Sequence, residues 1–378
     1  MIARPDQALV PKCRVIARGA YLVAILFAFI ALLATITNLA TPRGNDFISF
    51  WAAGKLALGG DATAAYDIAV HRQMEGVGVP GYKATNPFPY PPPFLLVVAP
   101  FAVFRAPVAQ LVWIVVTGLL FWAAVRPWAA MRMVLSHPPN LITAIVGQTS
   151  FLTGAILAGA MRLVSTRPWL SGALLGAAVI KPQLALLVPV ALVAGGYWRT
   201  LAGAAASAIA ILSLALILFG IDAFKGFFAI LPFYSEALEA AKWPWVKFGS
   251  VYALIRQAGA GTAVALAAHA VVAIAAAAAI FAAWRQDSPA KIPILLTGGL
   301  LVSPYLLTYD LALLVVATSW LAQTPRMGSA IILIWVLCAL PMASYLDVPH
   351  VPATAAIGTV LALVLLVRSE PVFQRSSR

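Results

Sequence analysis

Long apolar runs separated by short polar turns recur along almost the whole chain. Many are close to 20 residues long, which is the length that an α-helix needs to cross a hydrocarbon core about 30 Å thick. Within lipid such runs must be helical, because the backbone there has no water with which to pair. The pattern predicts an all-α, polytopic transmembrane bundle of about ten spans, at residues 19–39, 107–125, 141–162, 169–195, 200–220, 262–284, 292–305, 308–322, 328–345 and 352–368.

The predicted spans leave two long connections, 40–106 and 221–261. In the first, helical spacing with one apolar face predicts an amphipathic interfacial helix that carries Phe47, Phe50, Trp51, Gly54 and Leu58. Further on, the apolar stretch 94–104 is too short to span, which predicts an interfacial or re-entrant helix. In the second connection, a further interfacial helix is predicted around Tyr252 and Arg256.

Composition excludes a soluble protein and a nucleic-acid-binding protein. The 378 residues are 62% hydrophobic and 10% charged, and the mean hydropathy is +0.94, whereas soluble domains carry about 25% charged residues. The net charge of +13 comes from basic residues in short connections, and no basic stripe with interleaved aromatic residues is present. The positive-inside rule then predicts a cytoplasmic membrane protein with both termini in the cytoplasm and both long connections outside.

Other features set limits on the chemistry. The run 19–39 is longer than the apolar part of a secretory signal and has no small-residue cleavage site after it, so we interpret it as a retained span. Cys13 and Cys338 are not expected to meet. With four scattered histidines, a zinc site built by the protein is not expected. His269 is interpreted as a packed polar residue, and Asp347 and His350 fall in an outer turn.

Asp46 is a lone carboxylate at the point where the first span ends and the predicted interfacial helix begins. At that depth it is suitably placed for chemistry on a lipid-linked substrate. The alternative is that Asn45 or Asp46 caps the helix, since both residue types are preferred at N-caps. Tyr90, in a stiff proline-rich segment, is interpreted either as an aromatic anchor at the membrane interface or as a wall of a substrate groove.

Polar residues interrupt three of the predicted spans. Gln148 lies in the break 147–150, Lys181 in the break 180–183, and Asp310 at the end of the break 303–310. A lysine inside a span is costly and indicates a functional site, with phosphate as its natural partner, unless it lies near a helix end and extends to the headgroups. Asp310 either caps the following helix or faces the same cavity as Lys181.

Three groups of motifs, in this order, resemble one family: Asp46-Phe47 with the following Phe-Trp helix and Tyr66; Tyr90-Pro91-Pro92; and Gly147-Gln148 with Lys181-Pro182-Gln183. Over roughly residues 20 to 325 the chain resembles glycosyltransferase family 87. This polytopic family of the GT-C class includes polyprenol-phosphate-mannose-dependent mannosyltransferases and arabinofuranosyltransferases of mycobacterial envelopes. Tyr309-Asp310 stand where the mannosyl branch has histidines.

The resemblance implies an inverting transfer of a hexose, mannose-like, or a pentose from a polyprenyl-phosphate sugar to a lipid or glycan acceptor on the outer face of the membrane. Asp46 would be the general base, and Lys181 with Gln148 or Gln183 would stabilise the leaving phosphate. No metal or other cofactor is expected, because the leaving group carries one phosphate. The candidate substrate-binding residues are Tyr66, Tyr90, Gln148, Lys181, Gln183, Arg256, Tyr309 and Asp310.

Two other classes of protein are alternatives. A secondary transporter or flippase for a polyprenyl-linked or other lipid also uses broken helices and polar residues near the midplane. Such a protein is expected to have internal repeats, and none is evident in this sequence. A non-catalytic scaffold would leave the lysine inside the span and the proline-rich segment unexplained.

Overall fold

A computed structural model describes residues 45–82, 84, 86–239, 244–324, 327–346 and 351–369, together with individual positions between 19 and 37. Most of the predicted first span, 19–39, therefore lies outside the described residues, as do Cys13, Asp347 and His350.

In the described part of the chain, all regular secondary structure is helical, apart from one isolated β-bridge between Phe248 and Leu307. Its α-helices are α1 (Phe47–Leu58), α2 (Ile68–Gly78), α3 (Pro93–Val98), α4 (Ala106–Val125), α5 (Met131–Ser136), α6 (Pro138–Val146), α7 (Ser150–Leu163), α8 (Pro168–Gly176), α9 (Val188–Ala194), α10 (Trp198–Glu239), α11 (Val251–Gln257), α12 (Thr262–Arg285), α13 (Lys291–Gly299), α14 (Leu314–Leu321), α15 (Gly328–Ala339) and α16 (Ala355–Arg368). Short 3-10 helices extend or join several of them, at Thr63–Tyr66, Ala99–Val103, Ala177–Ile180, Pro182–Ala185, Trp245–Lys247, Thr308–Leu313 and Leu340–Leu346.

Three of the described helices, α4, α10 and α12, are long and apolar enough to cross a membrane. They cover the predicted spans 107–125, 200–220 and 262–284. The other predicted spans that the structure describes contain shorter helices, and turns interrupt 141–162 and 169–195 at Gly147 and Lys181. The fold is thus that of an all-helical membrane protein.

Helix α10 is longer than its sequence pattern predicts. Gly220 bends it with φ 74° and ψ 167°, and the helix then continues to Glu239. The connection predicted to begin at residue 221 is therefore helical over its first half. The continuation is held by packing, since Ala223 and Ile230 are buried against residues of the first connection. The short helix predicted around Tyr252 and Arg256 is present as α11.

Small residues let α8 and α10 pack closely along one another. A Cβ atom added at Gly172 would lie 2.5 Å from the carbonyl oxygen of Thr200, and one added at Gly176 would collide with the side chain of Ser207. Glycines four residues apart bring two backbones together in the way that membrane helices commonly use. This contact fixes α8, whose C-terminal end leads into the break at Lys181.

The first connection folds into a compact aromatic core. The helix predicted at 47–58 is present as α1, but residues on all of its faces are buried, including Phe47, Ile48 and Ala52, and only its end at Leu58 is strongly exposed. The amphipathic interpretation of α1 is therefore wrong, because α2 and the segment 93–103 cover the face that was expected to meet the interface.

Candidate functional site

Asp46 occupies the N-cap position of α1, yet its side chain does not cap the helix. The neighbouring Asn45 accepts the hydrogen bond from the backbone N–H of Phe47 at 3.2 Å. The Asp46 carboxylate instead accepts a hydrogen bond through Oδ2 from Nε2 of Gln148, at 2.8 Å. Of the two candidates for a capping role, Asn45 thus interacts with the start of the helix, while Asp46 is directed towards another part of the chain.

The break at Gly147 brings Gln148 to Asp46. Gly147 ends α6 in the left-handed conformation, with φ 71°, and a Cβ atom added there would lie 2.7 Å from Cβ of Phe47. Asn45 ties the same turn down, because its Nδ2 donates to the carbonyl of Ile145 at 3.0 Å. The start of α1 and the end of α6 are therefore in direct contact, which explains why a glycine stands at this break.

Tyr90 lies inside the aromatic core and contacts Gln148 through its hydroxyl group. Its ring is 6% exposed and packs against Phe50 and Phe94. The hydroxyl donates to Oε1 of Gln148 at 3.2 Å, and the hydroxyl of Tyr66 donates to the backbone carbonyl of Tyr90 at 3.0 Å. The structure thus buries both tyrosines, which excludes Tyr90 as an anchor at the membrane interface; substrate binding by the pair stays a prediction.

Lys181 is buried, 5% exposed, and forms an ion pair with Asp310, whose Oδ1 lies 2.5 Å from the lysine Nζ. The same carboxylate oxygen accepts from the hydroxyl of Ser150 at 3.0 Å, and Lys181 also donates to Oγ1 of Thr149 at 3.4 Å. The ammonium stands over the ring of Tyr309, 5.2 Å from its centroid. Asp310 therefore faces Lys181, and Lys181 does not extend to headgroups.

These contacts join residues of the first connection and the three breaks into one continuous series. We call it the polar chain; its members in order are Asp46, Gln148, Tyr90, Thr149, Lys181 and Asp310. The breaks were predicted from sequence, and the structure brings them together. Thr149 and Ser150 belong to the predicted break at 147–150 but were not singled out as site residues.

Asp46 is the partly exposed end of the polar chain. Burial raises the pKa of its carboxyl group, while the hydrogen bond from Gln148 and the positive charge of Lys247 act in the opposite direction. Lys247 is half-buried on the 3-10 helix Trp245–Lys247, which the backbone bond from Gly249 N–H to Leu306 C=O fixes beside the third break. Sequence reasoning missed Lys247, because nothing local distinguishes it from other loop lysines.

Four of the predicted site residues are not members of the polar chain. Tyr66 and Tyr309 contact its members, and the other two are Gln183 and Arg256. Gln183 is half-buried, and no residue in the described ranges hydrogen-bonds to its side chain. Arg256 stacks on Trp245, 5.3 Å from the ring centroid, and donates to the carbonyl of Ala260 at 3.1 Å. Both stay predictions as substrate-binding residues.

A second buried polar cluster supports the position of Asn45. The carboxylate of Glu75 accepts from the backbone N–H of Asn86 at 3.2 Å and lies 3.8 Å from Nε2 of His71. The Asn86 side chain donates to the carbonyl of Asn45 at 3.4 Å and to the hydroxyl of Tyr82 at 2.6 Å. This cluster was not predicted, because its members are spread over helix α2 and the following loop.

His269 is buried and hydrogen-bonds to the carbonyl of Val302 at 3.0 Å, as expected of a packed polar residue. The ranges that the structure describes contain no group of three or more His, Cys, Asp or Glu side chains arranged to hold a metal ion.

Residues 88–304 match the sequence model of glycosyltransferase family 87. The match covers more than half of the chain and includes Tyr90, Gln148, Thr149 and Lys181, whereas Asp46 and Asp310 lie outside it. Comparison with curated proteins and comparison with solved structures each gave no match. On the strength of the family match and of the apolar helical fold, the chain is a membrane protein that belongs to glycosyltransferase family 87.

Proposed function

We propose that this protein transfers a sugar from a polyprenyl-phosphate donor to a hydroxyl group of a lipid or glycan acceptor, with Asp46 as the general base. The observation that carries the proposal is the hydrogen bonding of the Asp46 carboxylate. Oδ2 is held by Gln148, and no residue in the described ranges donates to Oδ1. One oxygen of a fixed and partly exposed carboxylate is therefore available to accept a proton from a substrate.

A single general base implies a reaction in one displacement step. As the acceptor oxygen attacks the anomeric carbon, its proton passes to Oδ1 of Asp46, and the bond between the anomeric carbon and the phosphate oxygen breaks. The electron pair of that bond leaves with the polyprenyl phosphate. One displacement inverts the anomeric configuration, through a transition state with oxocarbenium character. The raised pKa of Asp46 makes it a stronger base than an exposed aspartate.

The leaving phosphate needs a cation, and the structure changes which residue we propose for this role. Lys181 is buried and its charge is compensated by Asp310, so it is poorly placed to neutralise a second anion. Lys247 is half-exposed, and its charge acts on the Asp46 carboxylate. We therefore assign the phosphate to Lys247, and no metal is needed for a leaving group with one phosphate.

The orientation in the membrane is part of the proposal. We place the chain in the cytoplasmic membrane with about ten spans of the GT-C type, both termini in the cytoplasm, and Asp46 at the outer face. The distribution of basic residues among the short connections supports this arrangement. The donor sugar is a hexose, mannose-like, or a pentose, and the acceptor is a lipid or glycan exposed outside.

The experiment is a transfer assay with purified protein in proteoliposomes. Polyprenyl-phosphate mannose and polyprenyl-phosphate arabinofuranose, each radiolabelled in the sugar, are offered with envelope lipid extract as acceptor. We expect transfer from one donor and a product of inverted anomeric configuration. A product of retained configuration would overturn the single-base mechanism. Movement of intact labelled donor across the bilayer without transfer would favour the flippase.

A further inference from the structure

Two residues of the polar chain stand at helix N-cap positions without capping a helix. Asp46 precedes α1 and Thr149 precedes α7, and neither side chain bonds to the backbone of its helix. A cap by Asp or Thr contributes about 0.5–2 kcal/mol, which these positions forgo. Local rules that are broken in this way are typical of functional sites, because the side chains serve another contact. Here both side chains point into the polar chain.

The direction of every hydrogen bond between Lys181 and Asp46 is fixed by the chemistry of the groups. An ammonium only donates and an ionised carboxylate only accepts. Oε1 of Gln148 only accepts, so the Tyr90 hydroxyl must donate its single hydrogen there. At the contact of 3.4 Å between Tyr90 and Thr149 the threonine must then be the donor. Lys181 therefore donates to Thr149, Thr149 to Tyr90, Tyr90 to Gln148, and Gln148 to Asp46.

The amide of Gln148 is oriented from both sides. Oε1 accepts from the Tyr90 hydroxyl at 3.2 Å and from the backbone N–H of Thr149 at 3.3 Å. With Oε1 held there, Nε2 faces Asp46 at 2.8 Å. A rotated amide would place its oxygen against the carboxylate and would repel it. Bonds that donate in one direction also polarise one another in a medium of low dielectric constant.

We propose that Tyr90 is a positioning residue, which acts on Asp46 through Gln148. The proposal rests on the assignment of Asp46 as the general base. In this account the Tyr90 hydroxyl keeps the Gln148 amide turned so that it stabilises the ionised carboxylate. Burial raises the pKa of Tyr90, so the hydroxyl stays protonated and remains a donor.

The test is a double-mutant cycle with Tyr90→Phe and Gln148→Ala, in which Asp46 ionisation and sugar transfer are both measured. The carboxyl group of Asp46 is titrated by infrared difference spectroscopy of the purified protein and assigned by its absence in Asp46→Asn. Within the ranges that the structure describes, the charged and titratable groups that face Asp46 are Lys247, Tyr82 and Tyr90. Among these, only the residue at position 90 is changed in the cycle.

We expect Gln148→Ala to raise the apparent pKa of Asp46 by about one to two pH units and to reduce kcat/KM about 10- to 100-fold, as for loss of a hydrogen bond to a charged group. Tyr90→Phe should shift the titration in the same direction by less and reduce kcat/KM about 2- to 10-fold. In the double variant the Tyr90 effect should disappear, because the residue through which it acts is absent.

Tyr66→Phe is the matched control. It removes a tyrosine hydroxyl from the same aromatic core, and the one partner of that group among the described residues is the backbone carbonyl of Tyr90. It should lower the melting temperature without shifting the Asp46 titration. As a second probe, 3-fluorotyrosine at position 90 retains the hydroxyl group that bonds within the polar chain and makes that hydroxyl more acidic. It should shift the titration of the Asp46 carboxyl group to lower pH.

The outcomes separate this proposal from the proposed function. Additive effects of Tyr90→Phe and Gln148→Ala, or a Tyr66→Phe shift equal to that of Tyr90→Phe, would overturn the positioning role while transfer by the wild type still stood. Absence of transfer by the wild type, with the coupled titration shifts intact, would refute the proposed function and leave the positioning role supported.

Discussion

The side chain of Gln148 donates a hydrogen bond from Nε2 to Oδ2 of Asp46 at 2.8 Å, across 102 positions of sequence. The contact joins the N-terminus of α1 to the break between α6 and α7. It also links Asp46 to Lys181 and Asp310, because Gln148 is the second member of the polar chain. Disturbing any part of this arrangement should have consequences that can be measured separately for stability and for activity.

Removing one partner of the buried ion pair between Lys181 and Asp310 should cost more stability than replacing both. Lys181→Met leaves Asp310 buried without its partner and should cost about 3–5 kcal/mol, whereas Lys181→Met/Asp310→Leu should recover most of that stability. The double variant should still transfer sugar poorly, because the polar chain has lost its cationic end. Thermal unfolding in detergent measures the first effect and the transfer assay the second. A matched Lys225→Met, which breaks an exposed pair with Asp222, should change the melting temperature little.

The break at Gly147 should tolerate no side chain. Gly147→Ala should lower the free energy of unfolding for two reasons. A left-handed alanine costs about 1–2 kcal/mol, and the collision with Phe47 costs about 1–3 kcal/mol more. Gly60 is the matched control, since it has φ 85° and nothing within 4 Å of an added Cβ. Gly60→Ala should therefore show only the first cost and keep transfer activity. Equal losses of stability in the two variants would show that the contact with Phe47 is unimportant.

The packing of α8 on α10 should depend on Gly176. Gly176→Ala places a methyl group against Ser207 and should cost about 1–3 kcal/mol. Gly118→Ala, in the middle of α4, meets no atom closer than 3.8 Å and should be neutral or stabilising by up to about 1 kcal/mol. Thermal unfolding of both variants checks this prediction, which a wild-type melting temperature for Gly176→Ala would contradict.

Glu75 should make stability depend on pH. Burial raises the pKa of Glu75 to about 7 from its ordinary value of 4.5, so between these values the folded protein holds a proton that the unfolded chain releases. Stability from this group therefore falls as the pH rises through that window. Burial lowers the pKa of His71 to about 4 from its ordinary value of 6.5. The stability that His71 contributes therefore falls as the pH drops below 6.5.

Glu75→Gln keeps the acceptor for Asn86 and removes the charge. It should raise the melting temperature at about pH 8 and have a smaller effect at about pH 5, where the folded wild type already holds its proton. Melting curves across this range measure the difference. An equal change at both pH values would mean that Glu75 does not titrate on its own.

The sequence was sufficient to locate the breaks but not to pair their residues. Gly147 and Pro182 are residues that interrupt helices, and a lysine inside an apolar run is conspicuous. The partner of Lys181 lies 129 positions away in Asp310, and only the tertiary fold decides that distance. The structure therefore adds a carboxylate partner that the sequence did not reveal, and a phosphate beside Lys181 stays a prediction.

The orientation of side chains was the second feature that could not be predicted from the sequence. The composition of 47–58 fits an interfacial helix as well as a buried one, and the choice is made by the segments that cover it. Tyr90 could face lipid, substrate or protein, since an amphipathic ring suits all three surroundings. Packing against Phe50 and Phe94 decides the matter and points its hydroxyl at Gln148.

The central claim is that Asp46 removes the proton from the acceptor, and single-turnover transfer by Asp46→Asn tests it most directly. The asparagine keeps the shape and can still accept from Gln148, so the protein should fold with a wild-type melting temperature. Transfer from the radiolabelled polyprenyl-phosphate sugar used by the wild type should fall about 10²–10⁴-fold. Asp61→Asn, an exposed carboxylate of the same connection, should transfer normally. A folded Asp46→Asn protein that transfers sugar at the wild-type rate would contradict the account.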